Sequence, residues 1–494
     1  MKENTPDCSF KQLSFFVPTP EDDLLIQKLK ELPDNYWDFK TDDTREYTHG
    51  LHSYPAMMIS PISRNLIRIV SSIKPVHALF DPFSGSGTVL VEGMLAGIDT
   101  VCGNDINPLA LFLCEVKTTK LDFSNLHSVC SALMDHIHAD YQKNQLFFSG
   151  ADIYMREVLH LDLTAKEGWG ADAARYLNAY RASNAQFPPA FEIPSFKNIG
   201  YWFKPNVILC LQLLKNHIMQ IEEESIRNFV FVAFSETIRL VSNRRNGEFK
   251  MFRMPPEKVD AFSPSVISEF SKILSRNIEK MDAFVAACST VNSKSSVMIY
   301  RNNATNLHDV SNDTFDLIIT SPPYGDSRTT VAYGEYSRLS LQWLGLDHLT
   351  EKEIMGIDRT LMGGEKFKKG FECRLQSPTL KKSLDRITAL DLARAGDVYS
   401  FYKDLDAALC AISQKTKSGG YQFWVVGNRT VKKELLQTDV IISELAAQYN
   451  LQHIYTINRN ISNKVMPSLN SPTNEAGAKA ATMTNEHIVV LRKL

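Results

Sequence analysis

The sequence predicts an α/β protein: a doubly wound parallel sheet split by a large, mainly helical insertion. Three observations carry this prediction. A short apolar strand, a glycine-rich turn and a helix succeed one another from Val76, and a second strand follows at once. Helical patterns then fill the chain until strand patterns return at Ser296. The last two strands are long and β-branched, as sheet interiors require.

The first strand is HALFD, ending at Asp81. The turn FSGSGT leads into VLVEGMLAG, whose apolar residues repeat at helical spacing and stop at Gly97. TVCGND is the next strand, so the unit is one βαβ crossover, right-handed by the rule for such units. Residues 1–45 read as a loose arm of mixed charge with four prolines before Asn35. Residues 46–125 are expected to form the first part of the α/β domain. Residues 126–290 are an insertion with helical segments such as VILCLQLLKNHIMQIEEE and FVFVAFSETIRLV. Residues 291–494 resume the sheet with SVMIYRNNA, FDLIITSPPY, YQFWVVGN, LQHIYTINR and EHIVVLRK, with the helix TDVIISELAAQYN among them.

Composition narrows the class. The chain has 494 residues, 44% hydrophobic, with 54 basic against 56 acidic residues. That is an ordinary globular composition, outside the disordered, collagenous and membrane-embedded classes. No apolar run has the length of a membrane span, and MKENTPDCSF lacks a signal-peptide layout, so a cytoplasmic protein without membrane contact is expected. The eight cysteines form no closely spaced pair, which disfavours structural zinc and disulfides. His49 and His52 have no carboxylate at a metal-site spacing, and no metal is expected. With a net charge of -2, any nucleic-acid contact must come from local basic patches.

Two segments carry chemistry. In DPFSGSGT, Asp81 to Thr88, small residues let a ligand approach the turn, and the helix behind it offers free amides. An acid at the end of the next strand, Asp105, suits two ribose hydroxyls, so a nucleoside is implied. In TSPPYGD, Thr320 to Asp326, two prolines stiffen the backbone and leave carbonyls free to accept hydrogens from an amine. Tyr324 beside them offers a face for stacking a base.

Together DPFSGSGT and TSPPY resemble the S-adenosylmethionine-dependent amino-methyltransferases of DNA. The likeness extends to GLHSYPAMMISP before the glycine turn and to TNEHIVVLRK at the end. It implies a Rossmann-like methyltransferase sheet with a C-terminal antiparallel strand. It also implies that Tyr54, Pro55, Asp81, Pro82, Phe83, Gly85, Ser86, Gly87, Thr88, Asp105 and Ile106 surround S-adenosylmethionine. Where the family often has an acid contacting adenine, this chain has Asn303, followed by Ala304. Ser321, Pro322, Pro323 and Tyr324 would form the catalytic motif, transferring the methyl directly to an exocyclic amine. Cytosine C5 chemistry is disfavoured, because no cysteine follows a proline. Serine at the first motif position leans toward cytosine N4, with adenine N6 the alternative. The implied partners are double-stranded DNA and a cognate restriction endonuclease. More remote readings are an RNA guanine-N2 methyltransferase, which prefers aspartate at position 321, and a silent DNA-binding subunit.

The family arrangement nominates 126–290 for target recognition. SNRRNGEFKMFR supplies Arg244, Arg245, Lys250 and Arg253 with Phe249 and Phe252 between them, a composition suited to phosphates and bases. A second patch, Arg359 to Arg386, holds eight basic and three acidic residues, a net +5, including Lys366, Lys368 and Lys369. It reads as a mobile loop that orders on DNA. Arg328 lies just after the catalytic turn, and Tyr333 further along is a candidate wall of the base pocket.

Overall fold

The computed structural model describes residues 18–184, 192–245, 247, 249–291, 294–326, 329–365, 371–461, 469–470, 480–481 and 485–494. Its centre is a seven-stranded sheet. The strands are β1 (Ala78–Asp81), β2 (Thr100–Asn104), β3 (Ser296–Tyr300), β4 (Phe315–Thr320) and β5 (Thr416–Gly427), then β8 (Leu451–Asn460) and β11 (Asn485–Lys493). Short strands β6 (Arg429–Val431) and β7 (Glu434–Leu436) form a separate hairpin, and β9 (Leu469–Asn470) pairs with β10 (Ala480–Ala481). The sheet order is β3-β2-β1-β4-β5-β11-β8. Strands β3 to β5 run parallel, whereas β11 is antiparallel to both β5 and β8. This is the predicted doubly wound sheet with its reversed last strand.

Alternation along the strands explains the layers. Leu79 and Ile319 face one side, while Phe80 and Ile318 face the other, as a period of two demands. The first side is covered by α1 (Pro20–Lys30), α2 (Ser60–Ser71) and α3 (Thr88–Leu95), through Leu25, Leu66 and Val89. α4 (Pro108–Thr118) follows β2.

The insertion consists of α5 (Phe123–Lys143), α6 (Gln145–Ile153), α7 (Trp169–Ser183), α8 (Ile199–Trp202), α9 (Pro205–Ile218), α10 (Glu224–Val241), α11 (Pro256–Ala261) and α12 (Val266–Thr290). Its core, around Leu209, Phe229, Phe234 and Phe270, is continuous with Leu109 and Leu113 of α4 and with Trp343 of α13 (Tyr333–Leu344). The insertion is therefore packed onto the catalytic sheet's own helices. After α13 come α14 (Glu351–Thr360), α15 (Pro378–Leu390), α16 (Leu392–Lys415) and α17 (Thr438–Ala446). The last three cover the second sheet face through Leu384, Leu405 and Ile442.

Two expectations are corrected. The described part of the arm, 18–45, is folded rather than loose. Thr19 caps α1 with a capping box, and buried Asp22 accepts from the Tyr421 hydroxyl at 2.8 Å and pairs with Arg492 at 3.3 Å. Its apolar residues Leu25, Leu29, Trp37 and Phe39 pack into a core shared with α2 and with β5, β8 and β11, which lie far away in sequence. The basic patch 359–386 is likewise not loop throughout, because its two ends, 359–360 and 378–386, are helical. Arg359 lies in α14, while Lys381, Lys382 and Arg386 lie on α15, which buries Leu380, Leu384 and Ile387. Arg386 pairs with Glu434 at 3.0 Å. Lys366, Lys368 and Lys369 lie outside the described residues, as does Arg328. No described helix is long and apolar enough to cross a membrane.

Candidate active site

Strand order reverses between β1 and β4, and a doubly wound sheet opens a crevice at the carboxyl ends of such strands. A cleft of about 820 Å³, counted to its open mouth, lies there. Asp81 at the end of β1, Asn104 at the end of β2 and Ser321 just after β4 all line it.

The glycine turn forms the floor. Gly85 and Gly87 take φ of 48° and 84°, a region that favours glycine. The Gly85 amide donates to Asp105 Oδ2 at 2.9 Å, and the Ile106 and Asn107 amides donate to Oδ1 at 2.8 Å each. One carboxylate thus ties the turn after β1 to the turn after β2. Asp81 is 3% exposed and accepts from Thr320 Oγ1 at 2.7 Å and the Phe83 amide at 3.1 Å. Burial raises Asp81 to about 7 and Asp105 to about 6, against donated hydrogen bonds that pull the other way.

The walls bring many of the nominated residues together. Tyr54, Pro55, Pro82, Phe83, Ser86, Thr88, Ile106, Asn303, Ala304 and Tyr333 line the cleft. The Tyr54 hydroxyl accepts from Asn107 Nδ2 at 3.0 Å, and its ring lies 6.0 Å from that of Tyr333. Phe83 also packs against the core beneath. Gly87 stands behind the lining, where a side chain would meet Cys114 Sγ at 3.1 Å, so its role is to let the turn seat on α4.

Asn303 is exposed, and its Oδ1 turns back to the Thr305 amide at 3.1 Å. Its neighbour Asn302 was missed in sequence. Asn302 is buried in the cleft wall, and its side-chain Oδ1 and Nδ2 both lack a hydrogen-bond partner among the described residues. Its backbone is cross-linked to Asn104, which explains why this residue points inward. Thr360 at the end of α14, with Leu361 and Met362 just beyond it, supplies a roof that no motif announced.

Ser321 and Pro323 open onto the same cleft, with Pro322 behind them. Tyr324 stands beside them with its hydroxyl 3.1 Å from Glu486 Oε1 on β11 and 3.4 Å from Ser321 Oγ. Asp326 anchors the next loop through Arg394 at 3.0 Å and Arg429 at 3.2 Å.

The nominated basic residues divide. Arg244 is 3% exposed and bridges to Arg253. The Arg253 guanidinium donates to the Tyr201 and Thr164 carbonyls at 2.7 Å each and lies over the Tyr201 ring. Both belong to the base of a hairpin-like loop, where the backbone of Arg244 pairs with that of Arg253. Arg245 is exposed and Lys250 half-buried near its tip, beside exposed Phe249 and Phe252. The Met251 amide donates to Glu335 at 3.1 Å, which fixes this loop to the start of α13, the helix whose Tyr333 lines the cleft. His49 and His52 serve the interior: His49 meets Glu92 at 2.8 Å and His52 meets Ser235 at 2.8 Å.

The strand order, its reversed strand and a nucleoside-sized cleft at the switch point define a Rossmann-like methyltransferase. Residues 45–161 match the family model described as "UPF0020: RMKL-like, methyltransferase domain". Over 482 residues the chain is 40% identical to the type II methyltransferase M.MvaI of Kocuria varians, covering 96% of this chain and 97% of that one. It therefore belongs to the type II methyltransferase family. It is also 22% identical over 392 residues to the type II methyltransferase M.MjaII of Methanocaldococcus jannaschii, covering 67% and 70% of the two chains. Among solved structures it aligns with the rRNA methyltransferase aviRa from Streptomyces viridochromogenes at a TM-score of 0.28 and 9% identity, over 89% and 88% of the chains.

Family membership implies S-adenosylmethionine as methyl donor, and the cleft fits it. Ser86 Oγ and both polar side-chain atoms of Asn302 are buried without partners among the described residues. Two carboxylates, Asp81 and Asp105, suit a cationic ligand bearing hydroxyls.

Proposed function

We propose that this protein methylates the exocyclic amine of cytosine, at N4, in double-stranded DNA, as the modification partner of a restriction endonuclease. The observation that carries the reading is the shared cleft: the Ser321–Pro323 turn opens into the same space as Asp105 and the unpartnered atoms of Ser86 and Asn302. Donor and acceptor would then meet at one place. The family names of the relatives, type II methyltransferases, support a DNA substrate.

In this reading Asp105 holds the ribose hydroxyls, Asn302 holds the adenine edge, and Asp81 lies at the amino-acid end. S-adenosylmethionine, when bound, supplies an electrophilic sulfonium methyl. Ser321 Oγ and the Pro322 carbonyl accept the two hydrogens of the target amine, which weakens delocalisation of its lone pair and aims it at the methyl. Tyr324 stacks on a base extruded from the duplex, an extrusion costing a few kcal/mol. Among the described residues that line the cleft there is no cysteine, in keeping with direct transfer rather than C5 attack.

The test is nucleoside mass spectrometry after incubating unmethylated DNA and bulk transfer RNA with the protein and isotopically labelled S-adenosylmethionine. N4-methylcytosine in the DNA is the expected product. N6-methyladenine would keep the enzyme and change the base, whereas label only in RNA guanine, or nowhere, would overturn the reading.

A further inference from the structure

The Tyr324 hydroxyl has two neighbours of opposite character. One is Glu486 Oε1, at 3.1 Å, and the other is Ser321 Oγ, at 3.4 Å. Glu486 Oε2 is in turn held by Arg459 Nη1 of β8 at 2.5 Å. Arg459 is 6% exposed and donates through Nε to the Trp37 carbonyl at 2.9 Å. Neighbouring Asn460 is bound to Asp38, so the N-terminal segment braces this assembly. Three segments remote from Tyr324 in sequence, carrying Glu486, Arg459 and Trp37, thus form a chain of contacts that ends on its phenol.

Donor rules fix the direction of these bonds. A carboxylate paired with arginine has no proton to give, so the Tyr324 hydroxyl donates to Glu486. Burial and the Glu486 charge push the phenol's pKa well above its usual value, which keeps that proton on the oxygen. The phenol oxygen then accepts from Ser321, whose own proton is turned away from the cleft. Ser321 Oγ is left with lone pairs facing the cleft, the character an acceptor of amine hydrogens requires.

We propose that Glu486 is a positioning residue that orients the hydroxyls of Tyr324 and Ser321, so that Ser321 meets the target amine as an acceptor. The inference rests on the amine-methylation reading above. Without the Glu486 carboxylate, the Tyr324 hydroxyl is free to donate to Ser321, and the serine proton turns toward the amine. Glu486 acts wholly through the Tyr324 hydroxyl, so its effect must vanish when that hydroxyl is absent.

The experiment is a double-mutant cycle of Glu486→Gln and Tyr324→Phe, read as single-turnover methyl transfer to DNA from labelled S-adenosylmethionine. Glu486→Gln should slow transfer about tenfold alone and less than about twofold in the Tyr324→Phe background, with DNA and cofactor affinities held. Equal slowing in both backgrounds, no slowing, or a loss confined to binding would overturn the proposal. Glu486→Asp, which keeps the charge but shortens the reach to Tyr324, guards against a misfolded glutamine variant. It should also slow transfer, and an unchanged rate would overturn the proposal. Wild-type protein that labels no exocyclic amine would instead overturn the functional reading and remove the basis of this one.

Discussion

The two sides of the cleft are built differently. On the cofactor side, Asp81 to Thr88 and Asp105 to Asn107 lie close in sequence and are joined by hydrogen bonds from backbone amides to one carboxylate. On the substrate side, Tyr324 depends on Glu486, 162 residues away, and on Arg459 beyond it. The roof at 360–362 and Tyr333 come from two further segments. The Asp105 tie is made within one βαβ unit, though Asn302 and the Thr320 that bonds Asp81 come from later segments, whereas the Tyr324–Glu486 contact exists only when the sheet is closed by β11 and β8. The first should tolerate damage elsewhere in the chain, and the second should not.

The sharpest way to break the comparison is at Asp105. Asp105→Ala removes the acceptor for the ribose and unties the two turns at once. With charged hydrogen bonds worth roughly 1.5–3 kcal/mol each, cofactor affinity should fall on the order of a thousandfold. Isothermal titration with S-adenosylmethionine measures it, and unchanged binding would separate Asp105 from the cofactor. Tyr324→Ala should do the reverse: methyl transfer falls roughly a hundredfold while cofactor affinity holds, since stacking is worth about 1–3 kcal/mol per base. Equal loss of both would make Tyr324 part of a common scaffold and erase the distinction between the two sides.

The pH dependence sharpens the cofactor side. Asp81 and Asp105 have pKa values raised by burial from 3.8 to about 7 and about 6. Between about pH 4 and pH 6 both carboxyls of the free protein hold protons that the unfolded chain has released. Their contribution to stability is therefore present below pH 4 and is lost as pH rises through 6 to 7. A cationic ligand favours the ionised forms, so binding should release protons. Affinity for S-adenosylmethionine should rise about tenfold from pH 5 to 8 and level off above the Asp81 value. A flat profile would show that the donor's positive charge lies away from these carboxylates.

How much of this was legible in the sequence follows the same division. The glycine turn and the SPPY turn announce themselves because each packs its chemistry into eight residues or fewer, and Asp105 because it ends the strand that follows the turn's helix. Asn302 escaped by one position. A template that expects an acid in the turn selects Asn303, but only the cross-link from Asn104 decides which asparagine faces inward. Glu486 and Arg459 sit in ordinary strand patterns, and nothing local marks them. The folded segment 18–45 was hidden for the same reason: Asp22 and Trp37 find their partners on β5, β8 and β11.

The smallest expected effect concerns the loop that would reach the DNA, where Arg245 and Arg253 had been given one role in sequence. Arg245 is exposed near the tip, whereas the Arg253 guanidinium is spent on two carbonyls and a tyrosine ring. Each phosphate contact contributes close to one unit to the slope of log affinity against log salt. Arg245→Ala should therefore weaken DNA binding about threefold at moderate salt and flatten that slope by about one unit. Arg253→Ala should leave the slope alone and cost about 1–3 kcal/mol of stability, because it strands carbonyls that the guanidinium satisfied. Titrations of the two variants against duplex DNA at several salt concentrations, alongside thermal melts, decide the matter. Identical slopes for both would place the DNA elsewhere on the molecule, whereas divergent slopes would extend the division between scaffold and contact from the cleft to the loop that overhangs α13.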